Sequence, residues 1–164
     1  MLGVEDEDLA NRVAQLLGDR TIATAESCTA GRISEVMACV EGAVHFLRGG
    51  LVAYQDEVKR NLLGVTAESV LTSEAAGQMA AGATRLLGAD VTVSTTGVAG
   101  GETEDGTPPG TVYIATSVDG RVVSNVYRFD GSPEEVCGQA RRQALLDLID
   151  AMTDGDRSQP QLPT

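Results

Sequence analysis

The chain has 164 residues, 42 % hydrophobic and 22 % charged, and its 24 acidic against 12 basic side chains give a formal net charge of −12. A chain of that length buries about 70 % of its unfolded surface around a single core, while the negative charge and an aromatic content of 3 % exclude nucleic acid as an expected partner. No apolar run approaches the roughly 18 residues of a membrane span, and the acidic segment "VEDED" has none of the character of a secretory signal.

Residues 6–17 place Leu9, Val13, Leu16 and Leu17 on one helical stripe, with Gly18 as the stop. "TIATAE" (21–26) reads as a short buried strand, residues 30–39 as a helix and "GGLVAY" (49–54) as a second strand. "QDEVKRNLLG" returns to helical spacing through Val58, Leu62 and Leu63, and Gly64 ends it. Residues 73–87 form a small-residue helix with Ala76, Met79, Ala80, Ala83 and Leu87 on one face. "ADVTVSTTG" is a third strand, opening into a glycine-rich loop. "TVYIATSV" and "RVVSNVYRF" flank Asp119-Gly120, the signal of a two-residue hairpin. A last helix spans 133–152, leaving 153–164 as an expected disordered tail after a single domain over 1–152.

Strands alternating with helices, plus one hairpin, define the expected fold: a three-layer α/β/α sandwich with a mixed sheet that includes one antiparallel hairpin. Ligands in such sheets sit beyond the carboxyl ends of strands. Two loops of small side chains leave strands here, Ser27-Cys28-Thr29-Ala30-Gly31 and Thr96-Gly97-Val98-Ala99-Gly100-Gly101, and the site is expected between them.

Cys28, Cys39 and Cys137 are an odd number without metal-ligand spacing, which fits free thiols in the cytoplasm. With one histidine, His45, no zinc constellation can be written, and its apolar neighbours point to a packed or hydrogen-bonded structural role. No metal and no cofactor is expected. Ser27 is the natural nucleophile, with backbone N–H groups of the helix behind it aimed at an oxyanion; the other reading is that Ser27 or Thr29 merely caps that helix. Without a histidine triad, the remaining bases are lysine and tyrosine. Of the 12 cationic side chains only Lys59 is a lysine, and lysine, unlike arginine, can lose its proton when buried. Lys59 and Tyr54 fall on the rim that carries Ser27; alternatively Lys59 pairs with Asp56 on the surface and Tyr54 is an interface ring. Cys28 is a rival nucleophile.

"AESCTAGRIS", "FLRGGLVAYQDEVKRNLLGV", "GADVTVSTTGVAG" and "GTVYIA", in this order over residues 6–152, resemble the C-terminal domain of the competence/damage-inducible CinA family. Stand-alone members of that family are nicotinamide-mononucleotide amidohydrolases. The resemblance implies hydrolysis of nicotinamide mononucleotide to nicotinic acid mononucleotide and ammonia, within pyridine-nucleotide salvage, with Ser27 as nucleophile and Tyr54 and Lys59 activating it. A small nucleotide is then the ligand, with no cofactor, and a homo-oligomer is left open. A module that binds a nucleotide without turning it over is the other function class, and an amidase using Cys28 a third reading. The expected binding residues are Glu26, Cys28, Thr29, Ala30 and Gly31 of the first loop, Thr96, Gly97 and Gly100 of the second, and, for a phosphate, Arg32 or Arg48 together with Arg142 or Arg141 of the last helix. The chain departs from the family pattern at Ala30, Gly101 and Cys137, where a glycine, a proline and an arginine are usual.

Overall fold

In the computed structural model, which describes residues 3–157, these periodicities become five helices and five strands among the described residues. They follow as α1 (Val4–Leu17), β1 (Ile22–Glu26), α2 (Arg32–Ala38), a 3₁₀ turn (Ala43–His45), β2 (Leu47–Val52), α3 (Asp56–Leu63), α4 (Ser73–Leu87), β3 (Val91–Gly97), β4 (Thr111–Val118), β5 (Arg121–Arg128) and α5 (Pro133–Arg157). The strands form one sheet in the order β2-β1-β3-β4-β5. β1 is parallel to both β2 and β3, and β4 is antiparallel to both β3 and β5. This is the mixed sheet with one hairpin that the alternation of elements predicts.

Strand alternation sorts the side chains into two cores. Ile22, Val91, Val93, Val112 and Ile114 pack with Val13 and Leu17 of α1, Ile33 and Met37 of α2, and Leu145 and Leu148 of α5. On the opposite face, Ala25 meets Leu63 of α3 and Ala75, Met79 and Ala83 of α4. That face of β3 is made of hydroxyls rather than hydrocarbon. Thr92 and Ser94 donate to the carbonyls of Ala80 and Ala76 at 3.1 and 2.6 Å, which a helix lined with alanines can approach closely enough to receive. Helices thus cover both faces of the sheet.

Several boundaries differ from expectation by a residue or more, as does the place of one side chain. β2 begins and ends two residues earlier than predicted because its pairing with β1 runs from Leu47 opposite Ile22 to Val52 opposite Glu26. α2 begins at Arg32 because Ala30 and Gly31 take positive φ angles of 48° and 96°, which no helix tolerates. α5 runs to Arg157, past the predicted end at 152, and residues 158–164 of the expected tail lie outside the described residues. His45 is exposed in the 3₁₀ turn rather than packed. The Asp119-Gly120 hairpin forms as expected, with both residues at positive φ (50° and 85°), the requirement of a type I′ turn.

Candidate active site

The chain leaves β1 for α2 on one face of the sheet and leaves β2 for α3 on the other. A crevice opens where neighbouring strands diverge in this way. Ser27 stands at its base: it follows β1 directly, its N–H donates to Thr95 O at 3.0 Å, and it is 5 % exposed. Tyr54 follows β2, held by the bond from Ala53 N–H to Glu26 O at 2.8 Å. Lys59 lies one turn into α3 and is 3 % exposed.

The three converge on a single atom. Lys59 Nζ donates to Tyr54 O at 2.8 Å, and Ser27 Oγ reaches the same carbonyl at 3.5 Å. Desolvation holds the Lys59 pKa below the ordinary lysine value, against the opposing pull of Asp56, whose carboxylate lies 3.6 Å away, and of Glu104. Lys59 is therefore both buried and paired with Asp56, which merges the two readings of the sequence. Tyr54 takes part through its backbone, while its ring is 66 % exposed.

These residues line a cavity of about 220 Å³ with Cys28, Asp56, Val70, Leu71, Gly97, Val98, Ala99, Gly100, Glu104 and Pro133. Gly97 and Gly100 belong there for steric reasons. A Cβ on Gly97 would fall 2.4 Å from Thr111 O, and one on Gly100 would fall 2.3 Å from the Pro133 ring. Val70, Leu71, Glu104 and Pro133 escaped the sequence reading. The first two precede the Thr72 cap of α4 in a stretch without periodicity, whereas Pro133 had a signal, the preference of proline for the first position of a helix.

Several predicted binding residues have other work. Glu26 is fully buried, and its carboxylate accepts the N–H groups of Gly31, Ile33 and Ser34 and the hydroxyls of Thr24, Thr29 and Ser34 at 2.7–3.1 Å. It caps α2 from the neighbouring strand, so neither Ser27 nor Thr29 is the cap. The helix N–H groups expected to face an oxyanion are thereby taken; among the described residues, those of Cys28 and Thr29 have no acceptor. Thr29 is turned to Glu26 and Thr95, and Thr96 donates to Val70 O at 2.9 Å. Ala30 and Gly31 shape the turn without lining the cavity.

None of the proposed arginines lines the cavity either. Arg142 faces Glu5 and Asp6 of α1, each at 3.5 Å, and Arg141 bonds Asp6. Arg48 opens β2 beside Ile22, at the opposite end of β1 from Ser27, and its charge acts on Asp90 there. Arg32 is closer, donating to Thr29 O at 3.2 Å and pairing with Glu134 at 2.6 Å. The Cys28 thiol packs into the α1/α2/α5 core, and burial pushes its pKa up to about 12. A thiol so held carries no thiolate at neutral pH. Among the described residues no three His, Cys, Asp or Glu side chains converge to hold a metal, and no helix is long and apolar enough to cross a membrane.

Fold and cleft together define an α/β/α domain with a serine and a buried lysine at a strand switch point. The chain belongs to the CinA family: the model of the CinA C-terminal domain matches residues 6–152. A crystal structure of a competence-damaged protein (CinA) superfamily protein from Klebsiella pneumoniae superposes with a TM-score of 0.87 at 35 % identity, covering 91 % of this chain and 98 % of that one. Protein YdeJ of Escherichia coli is 35 % identical over 156 residues, 88 % of this chain and 91 % of that protein. A CinA-like protein of Thermosynechococcus vestitus is 39 % identical over 138 residues, 79 % of this chain but 33 % of the relative. The chain thus spans about a third of the length of such longer curated relatives.

Proposed function

We propose that the chain is an amidohydrolase that converts nicotinamide mononucleotide to nicotinic acid mononucleotide and ammonia through a serine acyl-enzyme. The observation that carries this reading is the meeting of Ser27 Oγ and Lys59 Nζ on the carbonyl of Tyr54, inside a cavity of about 220 Å³. Lys59 in its neutral form takes the Ser27 proton as Oγ attacks the carboxamide carbon. The oxyanion falls to the N–H groups of Cys28 and Thr29, the pair left without an acceptor among the described residues. Lys59 returns the proton to the departing nitrogen, ammonia leaves, and a water activated by the same amine hydrolyses the ester. Membership of the CinA family supports the assignment. The raised pKa of the buried Cys28 thiol counts against the amidase that would use it.

The test is ammonia release from nicotinamide mononucleotide by the parent chain and by Ser27→Ala. The variant removes one oxygen whose one hydrogen bond among the described residues is the 3.5 Å approach to Tyr54 O, so it is expected to fold normally and lose the activity. Retention of more than a tenth of the parent kcat overturns the nucleophile, since tenfold is only about 1.4 kcal/mol of barrier. No release by the parent chain leaves a binding module instead.

A further inference from the structure

We propose that the cavity selects amides carried on a positively charged ring, and that Glu104 is the residue that reads the charge. This rests on the amidohydrolase reading of the same cavity and names what that reading leaves open, the feature of the substrate that the protein recognises.

The charged side chains lining the cavity are Asp56, Lys59 and Glu104, two carboxylates against one amine. The lining is negative even with Lys59 protonated, and more so when Lys59 is the neutral base. Asp56 is engaged with Lys59 at 3.6 Å, whereas Glu104 has no ion-pair or hydrogen-bond partner for its carboxylate among the described residues. Its backbone is fixed by a two-way bridge with Thr107, N–H to O at 3.0 and 2.7 Å, across a turn at Asp105 and Gly106. Glu104 is exposed at the rim, and the same cavity is lined by Val70, Leu71, Val98, Ala99 and Pro133. An apolar lining beside a free carboxylate suits a flat cation, because the low-dielectric surroundings strengthen the attraction.

The chemistry of the substrate puts its charge in reach. In a nicotinamide nucleotide the quaternised ring nitrogen is two bonds from the carbon that bears the amide. With the amide carbon at Ser27 Oγ, the positive ring therefore lies in the cavity with it. Pockets for drug-sized ligands run to about 300–1,000 Å³, and this one, at about 220 Å³, has room for the ring. The same arrangement clears the product. Hydrolysis turns a neutral amide into a carboxylate, which then faces Asp56 and Glu104.

The experiment compares two ligands that differ by one hydride, which removes the ring charge and its aromaticity, nicotinamide mononucleotide and its 1,4-dihydro form, binding to Ser27→Ala so that nothing turns over; the Glu104 variants isolate the charge. The oxidised form is expected to bind at least tenfold more tightly, about 1.4 kcal/mol. Adding Glu104→Gln is expected to cut the ratio to threefold or less, while Glu104→Asp, which keeps the charge, holds it above fivefold. Equal binding of the two forms, a ratio unchanged in Glu104→Gln, or an equal collapse in Gln and Asp overturns the inference. Ammonia release by the parent chain, measured alongside, separates the two ideas. Release with equal binding overturns the charge reading alone, and a tenfold ratio without release overturns the amidohydrolase alone.

Discussion

Lys59 has a depressed pKa because its ammonium is kept from water, and the sign of the effect fixes two outcomes. The unfolded chain holds the lysine proton up to about pH 10.4, whereas the folded chain gives it up earlier. Between the folded value and the unfolded one, the unfolded state binds more protons, so stability rises with pH across that window. Below the folded value the destabilisation is present in full. Lys59→Met is therefore expected to abolish ammonia release while melting at or above the parent temperature at pH 7. A fall of more than about 4 °C, on the order of 1 kcal/mol for a domain of this size, would make the lysine structural instead. The rate should also rise with pH along a limb lying below the ordinary lysine value. Lys59→Arg, which keeps the charge and cannot deprotonate, should lose at least about 100-fold in kcat and not recover at high pH. Near-parent activity in the arginine variant would reduce Lys59 to an electrostatic role.

At the scale of elements, β1 and α2 are joined less by the turn between them than by the Glu26 carboxylate, which accepts six hydrogen bonds from it and its surroundings. Glutamine at this position would turn an NH₂ group toward donors it cannot satisfy. Hydrogen bonds to a charged group contribute about 1.5–3 kcal/mol each, so Glu26→Gln is expected to lower unfolding free energy by at least about 2 kcal/mol and to reduce activity by displacing Ser27. A denaturant midpoint equal to the parent's would refute the cap. This residue shows where the sequence is legible. Hydrophobic spacing and the glycine stops of α1 and α3 are local signals, and α4 and β4 fall on their predicted residues. The meeting of Ser27, Tyr54 and Lys59 is legible because strand ends and helix starts share a rim of the sheet. What Glu26 faces is decided by which side of β1 its side chain leaves and by how far α2 stands from it, and neither is written in the spacing. Arg142 and Arg48 stand away from the cavity for the same reason: Arg142 follows the stripe of α5 onto α1, and Arg48 lies at the far end of a parallel strand. Glu104 carries no local signal, because its place depends on a turn closed by the bridge to Thr107.

For the molecule as a whole, the two faces of the sheet are built differently. Large aliphatic side chains fill the α1/α2/α5 side, while small residues and hydroxyl-to-carbonyl bonds hold α4 against β3. The crevice lies between these halves, with its charges arranged locally inside a chain of net charge −12. The buried grip of Glu26 also has a consequence in time. The amide protons of Gly31, Ile33 and Ser34 belong to a loop and a helix start, segments that ordinarily exchange with solvent through small local openings. Here they end on a carboxylate carried by a strand paired on both sides, so releasing them means taking β1 out of the sheet. Their deuterium exchange is expected to be as slow as that of the β1 and β3 core, whereas the Glu104–Thr107 bridge, on an exposed turn, exchanges early. One wall of the cavity then persists for as long as the fold does, and ligands come and go past the other.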